Sequence, residues 1–333
     1  MTRGRGQHRD RAADYRFQPV NRPEPGPIAV LPRETAMFVD AVLAGGGKIE
    51  PLSDATRGVV WLSEKHSDEL ATVLEAHPGI QWVQLPWAGV DAFAEILARF
   101  AAQPYPLWTS AKGAYSEPVA EHALALTLAL LRQFPQKARS ATWMASPKTG
   151  TSLFGLEVLL IGAGGIAREI IRLLAAFDVR VTVVRRSTEP LDGADATVAS
   201  SELSSVLPTA DVVIIAAAST GETAQLMGAE ELRLMKRSAV LVNIARGALI
   251  DTDALVAALS AGEIAGAGLD VTDPEPLPDG HPLWSAPNCL VTSHSADTPE
   301  MTAPLLAGRI RLNVEAFHGT AGFVGVVDPV AGY

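Results

Sequence analysis

Residues Leu153–Arg186 read LFGLEVLLIGAGGIAREIIRLLAAFDVRVTVVRR. Glu157–Ile161 is a short run of Val, Leu and Ile, the look of a strand buried in a parallel sheet. It leads directly into Gly162-Ala163-Gly164-Gly165-Ile166-Ala167, which fits G-x-G-x-x-[G/A]. Ile166, Ile170, Leu173, Leu174 and Phe177 then recur at helical spacing, and Val179–Val184 reads as a second strand. Strand, glycine turn, helix and strand make one βαβ unit. A glycine triplet alone is weak evidence, but this one stands after a strand and opens a helix, the context the motif requires. Gly162 permits the tight turn, Gly164 lets the backbone approach a pyrophosphate, and Ala167 allows close helix–strand packing. The free N–H groups of the helix start, at Gly165 and Ile166, can hold phosphate charge. The stretch therefore predicts dinucleotide binding.

The end of the second strand bears on which dinucleotide. An NAD site usually carries Asp or Glu there, to accept from the ribose hydroxyls. This chain carries Arg185, Arg186 and Ser187. Two cations and a hydroxyl suit a 2′-phosphate, so NADP is expected, with NAD as the alternative if the arginines are only solvated residues at a strand end.

The whole chain has 333 residues, enough for two domains. Hydrophobic residues make up 48% and charged residues 19%, which allows a substantial core. The formal net charge of −10 argues against a general nucleic-acid binder. A lone cysteine, Cys289, excludes an intrachain disulfide framework and a Cys-rich metal site, and fits a cytoplasmic protein. No uninterrupted apolar run approaches the roughly 18 residues of a membrane span. No metal site is expected. Residues 1–27, with six arginines and four prolines, read as a flexible basic extension.

From Ile28 the pattern alternates strand and helix, as in a parallel-sheet domain, with strands at Ile28–Leu31, Val59–Leu62, Ile80–Leu85 and Pro106–Ser110. Strand Ile80–Leu85 ends in Pro86-Trp87-Ala88-Gly89-Val90-Asp91. Ligands of open α/β sheets bind beyond strand C-termini. Trp87, Ala88 and Gly89 could thus line a carboxylate site, or form an ordinary strand–helix connection. Glu117–Arg132 (EPVAEHALALTLALLR) is a helix apolar on nearly all sides and so buried, between domains or against a second subunit. His122 inside it reads as packed core rather than as a catalyst. Past Arg186, strands are expected at Ala210–Ala217, Ala239–Asn243, Ala265–Val271 and Cys289–Thr292, the last as the sixth of a doubly wound sheet. Ala217 ends the first of these, and Ala218 and Thr223 follow it, over the cofactor.

Arg246, Asp270, Glu275 and His294 all stand at or near strand C-termini, the edge where a nicotinamide would lie. Reduction of a 2-keto acid needs a hydride and a proton for the ketone oxygen. Histidine suits the proton step. A neighbouring carboxylate orients the ring, and an arginine fork binds the substrate carboxylate. His294, Glu275 and Arg246 can fill these roles, although Glu275 taken alone is a residue of a Pro-rich loop.

Asn243–Asp251 (NIARGALID), Gly266–Pro278 (GAGLDVTDPEPLP), Pro282–Trp284 (PLW) and Thr292–His294 closely resemble the D-isomer-specific 2-hydroxyacid dehydrogenases, in particular the NADP-preferring glyoxylate/hydroxypyruvate reductase type. Ala88–Asp91 and Val119–Glu121 resemble that family's substrate loop and dimer-facing helix. The resemblance implies two doubly wound parallel-sheet domains, a Rossmann dinucleotide-binding domain (113–296) inserted into a discontinuous flavodoxin-like substrate domain (28–112 and 297–333). It implies catalytic roles for Arg246, Glu275 and His294, a contact of Asp270 with the nicotinamide carboxamide, and Ile244 and Ala296 bordering the ring. It also implies a homodimer acting on a small 2-keto or 2-hydroxy acid. The sequence departs from the pattern at Ser293, where the family commonly has Pro, at Ala217-Ala218-Ser219, and at Asp297. The alternative function is a dinucleotide-gated binding protein, corepressor-like, without physiological turnover. The complete Arg–Glu–His set favours the enzyme.

Overall fold

The Val-, Ile- and Leu-rich segments build two all-parallel sheets in the computed structural model, which describes residues 8–13, 15–63, 67–143 and 147–330. The chain divides into two units, one of residues up to Glu117 with those from Thr298 onward, the other Pro118–Asp297. The first crossing falls inside the helix Ser116–Leu131 rather than ahead of it at residue 112, because a continuous helix and not a loop leads out of the first unit.

In the first unit, β1 (Ile28–Leu31), β2 (Gly58–Trp61), β3 (Trp82–Gln84) and β4 (Leu107–Thr109) pair in chain order. Beyond β1, Ile49 makes a single parallel bridge to Ile28. Ile28 N donates to Lys48 O at 2.8 Å and Glu50 N to Ile28 O at 3.2 Å. Counted as a second strand, that bridge gives the order 2-1-3-4-5, the flavodoxin-like arrangement. Val59, Trp61, Leu70, Val83, Leu85, Phe93 and Leu97 form a core between this sheet and its helices. Burying about 1.5–3 kcal/mol worth of side chain at each such position is what holds the layers together.

Of the expected flexible extension 1–27, residues 1–7 and 14 lie outside the described residues, and residues 8–13 and 15–27 make specific contacts instead. Phe17 pairs with Phe323 as an antiparallel bridge, with N–H···O distances of 2.7 and 2.8 Å. The Arg22 guanidinium donates to the carbonyls of Ala316, Gly319 (2.5 Å) and Ala321 (2.9 Å), at the C-terminal end of the helix Pro299–His318. A cation there meets carbonyls that have no intrahelical partner. Asp10 pairs with Arg309, whose side chain is fully buried. Composition alone reads this segment as solvated, but several of its polar groups are consumed by partners about 300 residues away in sequence.

The second unit holds β5 (Glu157–Ile161), β6 (Arg180–Arg185), β7 (Ala196–Ala199), β8 (Val212–Ile215), β9 (Val240–Asn243), β10 (Gly266–Leu269) and β11 (Cys289–Val291). Their order is β11-β10-β9-β8-β5-β6-β7. The chain thus winds outward from β5 through β6 to β7, then returns to the other side at β8. That reversal is the switch point where doubly wound sheets take ligands. Cys289–Val291 is the seventh strand and not the sixth, because β7 escapes the sequence reading: it is an edge strand with no fully buried residue and only the four residues ATVA. Since every strand is parallel, Gly162, Ala216, Asn243–Arg246, Asp270 and Thr292–His294 all leave the sheet at one edge. Among the described residues no helix is long and apolar enough to cross a membrane, and no group of three or more His, Cys, Asp or Glu could hold a metal ion.

Candidate active site

The phosphate turn follows β5. Gly162 sits at φ +113°, and a Cβ there would lie 2.5 Å from the carbonyl oxygen of Ala216, so the position demands glycine twice over. Gly164 is extended, caps the helix Gly165–Leu174 with no side chain, and has nothing within 4 Å of where a Cβ would stand. Gly165 and Ile166 therefore open a helix whose first N–H groups have no intrahelical partner and can meet an anion. Ala167 is fully buried against the sheet.

At the end of β6, Arg185 still pairs with Ala199, while Arg186 is exposed and lies 3.6 Å from Glu222, itself exposed. Glu222 was not legible as a neighbour of this corner. The Ser187 hydroxyl is buried with no hydrogen-bond partner. A buried orphan hydroxyl directly after two arginines fits a bound phosphorylated ribose, which would supply the missing partner. The loop after β8 carries Ala217 and Ala218. Thr223 closes it by donating to Ala218 O at 2.8 Å and accepting from Thr220 N at 2.8 Å.

The candidate catalytic edge is built from three loops. After β9, buried Asn243 donates to Arg246 O (2.8 Å) and accepts from Ala245 N (3.0 Å), which shapes the turn that presents Arg246. Ile244 is buried beneath it. A Cβ on Gly247 would lie 2.0 Å from the backbone of Thr272, so glycine is what lets the Arg246 loop press on the loop after β10. That second loop carries Glu275. The third follows β11, where His294 Nδ1 meets Glu275 Oε1 at 2.6 Å. A carboxylate oxygen only accepts, so Nδ1 carries the proton and Nε2 is the ring atom left to work on a substrate. Both side chains remain nearly half exposed.

Ser293 and His294 both lie at φ +52°, consecutive non-glycine residues in the left-handed region. Each costs on the order of 1–3 kcal/mol and persists only where the surroundings impose it. Proline fixes φ near −65°, so this backbone is closed to the Pro that the family pattern places at 293. Asp270, 2% exposed, supplies the restraint. Its carbonyl accepts from His294 N at 2.6 Å, its Oδ1 from Ser295 N at 2.8 Å and Thr292 Oγ1 at 2.6 Å, and its Oδ2 from Ala296 N at 3.1 Å. His122 is not a plain core residue as its helix suggested. Its Nε2 lies 2.9 Å from Thr292 Oγ1 and 3.4 Å from Asp270 Oδ1. Asp297, the departure next to buried Ala296, is half-buried. Burial pushes its carboxyl above the usual carboxylate range, opposed by His294, helped by Asp270, and opposed again by Arg246 and His122.

The structure therefore brings Arg246, Glu275, His294, Asp270, Ile244 and Ala296 to one sheet edge of the second unit, with the phosphate turn on the same edge. The residues expected to form a substrate loop lie in the first unit. There Trp87 packs edge-on to Tyr115 at 6.4 Å, and the Tyr115 hydroxyl donates to Pro86 O at 2.8 Å. Ala88 and Gly89 are half-buried, and the turn leads into a 3₁₀ turn, Asp91–Phe93, before the helix Ala94–Phe100.

A sheet that offers an anion-binding turn and a carboxylate-paired histidine along one edge has the design of a dinucleotide-dependent oxidoreductase. The chain belongs to the D-isomer specific 2-hydroxyacid dehydrogenase family, whose NAD-binding domain matches residues 124–296. It is 31% identical over 279 residues to a glyoxylate reductase of Pyrococcus furiosus, covering 81% of each chain. Two solved structures share the fold. One is a D-isomer specific 2-hydroxyacid dehydrogenase of Xanthobacter autotrophicus Py2 in complex with NADPH and MES, at TM-score 0.76 and 26% identity, covering 93% of this chain and 100% of that one. The other is an NADPH-dependent glyoxylate/hydroxypyruvate reductase of Sinorhizobium meliloti, at TM-score 0.72 and 27% identity, covering 92% and 98%.

Proposed function

We propose that the chain reduces small 2-keto acids of the glyoxylate and hydroxypyruvate class to D-2-hydroxy acids, with NADPH as the preferred reductant. The observation that carries this reading is the His294–Glu275 contact at the sheet edge that also presents Arg246. A bound nicotinamide supplies the hydride. Glu275 holds Nδ1–H of His294, so the ring is fixed, and its imidazolium form gives the second proton, on Nε2, to the ketone oxygen as that oxygen becomes a hydroxyl. Arg246 grips the substrate carboxylate with its planar fork. Trp87, Ala88 and Gly89 are the proposed substrate-facing residues of the first unit. Gly162, Gly164, Gly165, Ile166 and Thr223 are assigned to the dinucleotide phosphates and their surroundings, and Ile244 and Ala296 to the nicotinamide end.

NADP over NAD is supported by Arg185, Arg186 and the unpartnered Ser187 hydroxyl, and by the naming of the Sinorhizobium relative as NADPH-dependent. A homodimer is part of the proposal, supported by the exposed apolar side chains of Phe134 and Trp143, and a cytoplasmic location by the single, buried cysteine. The test is a matrix of glyoxylate, hydroxypyruvate and pyruvate against NADPH and NADH. We expect turnover of at least one acid, with NADPH favoured roughly 10- to 100-fold in kcat/KM, as two partly exposed charge-assisted hydrogen bonds would give. His294→Ala should lose about 10²–10⁴ in kcat while still binding NADPH. Tight NADPH binding with no turnover of any acid would replace this reading by the corepressor-like one.

A further inference from the structure

A buried carboxylate needs donors, and the donors of Asp270 are unevenly distributed. Three of them, Thr292 Oγ1, Ser295 N and Ala296 N, come from the short segment that carries His294. The carboxylate therefore staples this segment down on both sides of the histidine. The hydroxyl of Thr292 has one proton, and at 2.6 Å it gives that proton to Asp270. Toward His122, 2.9 Å away, Thr292 can then only accept, so the His122 ring must carry its hydrogen on Nε2. The chain of donation runs His122 Nε2–H to Thr292 Oγ1–H to Asp270 Oδ1, and the same His122 atom stands 3.4 Å from that oxygen. The second carboxylate that feels His122 is Asp297.

We propose that His122, from the helix Ser116–Leu131, is a positioning residue for the acid/base histidine: its Nε2–H orients the Thr292 hydroxyl toward Asp270, which holds residues 293–296 in the conformation that aims His294 at Glu275. His122 touches neither substrate nor cofactor in this scheme. The inference rests on the proposed role of His294, but part of its test does not. Neutral and protonated His122 both present the donor, so the device needs an N–H at this point rather than a charge. A glutamine amide can place an N–H near the position of Nε2, whereas leucine fills the volume with no donor.

Hydrogen exchange of the peptide spanning residues 292–297 is measured by mass spectrometry on the protein without substrate, alongside kcat and KM for glyoxylate with NADPH. In His122→Leu, exchange of the Ser295 and Ala296 amides should rise roughly tenfold and kcat should fall about tenfold, the scale of one lost hydrogen bond, with β10 and β11 protection and the KM for NADPH nearly unchanged. His122→Gln should lie within about threefold of the parent in both readouts. Thr292→Val breaks the chain at its middle link, so adding His122→Leu to it should change little more. Should His122→Leu fail to fold, the Gln and Thr292→Val variants carry the test. Unchanged exchange in His122→Leu, or a Gln variant no better than the Leu variant, would overturn the inference. Loss of protection in residues 292–297 with no effect of His294→Ala on turnover would instead remove the proposed role of His294 and leave the staple standing.

Discussion

The pairing of Asp10 with Arg309 yields the sharpest stability prediction. Arg309 sits on the helix Pro299–His318 with its side chain at 0% exposure. Its Nε and Nη2 donate to the two oxygens of Asp10, both at 2.9 Å, and Nη1 donates to Ser110 O at 2.8 Å and Lys112 O at 3.1 Å. Burial lowers the guanidinium pKa, and the charge of Asp10 and its hydrogen bonds raise it again. Asp10→Ala leaves that cation buried with two carbonyls and no counterion. Removing one partner of a buried pair costs about 3–5 kcal/mol, mostly the price of the uncompensated charge that remains. Asp10→Asn keeps an acceptor and should cost less. Replacing both partners, as Asp10→Ala with Arg309→Met, should recover part of the loss, because no charge is then stranded.

The assay is urea unfolding followed by tryptophan fluorescence. Trp61 and Trp82 are buried in the core of the first unit and report on it. Deletion of residues 1–27 should destabilise at least as much as Asp10→Ala, since it also removes the Phe17–Phe323 bridge and the Arg22 contacts. A flexible tail predicts no change at all. If Asp10→Ala shifted stability by less than about 1 kcal/mol, the range of an exposed pair, the reasoning from burial would be wrong.

The site offers further checks. Glu275→Ala removes the acceptor that fixes Nδ1 of His294, so kcat of ketone reduction should fall about tenfold or more, read from initial rates; an unchanged kcat would deprive Glu275 of its role. Arg246→Lys keeps the charge and loses the fork, so KM for the 2-keto acid should rise at least about tenfold, read from initial rates, whereas equal reduction of a ketone lacking the carboxylate by the parent would refute the anchor. Changing Arg185 and Arg186 together to Ala should raise KM for NADPH about tenfold or more, scarcely alter KM for NADH, and show a smaller effect at high salt. Asp297 is a carboxyl raised in the fold, so its ionisation costs stability once pH climbs above the ordinary carboxylate range. Asp297→Asn should therefore be more stable than the parent at pH 7 and equal to it near pH 3, by thermal unfolding at the two pH values.

The dinucleotide half of the site could be read from sequence because its signal is local. β5, the glycine turn and the following helix occupy consecutive residues, and steric needs at Gly162 and Ala167 leave their mark on the same stretch. The convergence of the residues proposed for catalysis was legible for a different reason. In an all-parallel sheet every strand delivers its C-terminal end to one edge, so Arg246, Asp270 and His294, scattered over some fifty positions, had to converge once the strands were identified. What stayed hidden was the identity of partners across long separations. Asp10 carries no sign that its counterion lies 299 residues away, and the apolar pattern of Ser116–Leu131 conceals that one polar residue in it has a mate 170 residues on. Periodicity reports which face is buried, not what a buried polar group will find there. The same limit explains Glu222, which meets Arg186 only because β6 and β8 flank β5 in the sheet. It puts a carboxylate beside the proposed 2′-phosphate site. There it would compete with a bound phosphate for Arg186, so the strength of the proposed NADPH preference would depend on a residue that the fingerprint stretch does not contain.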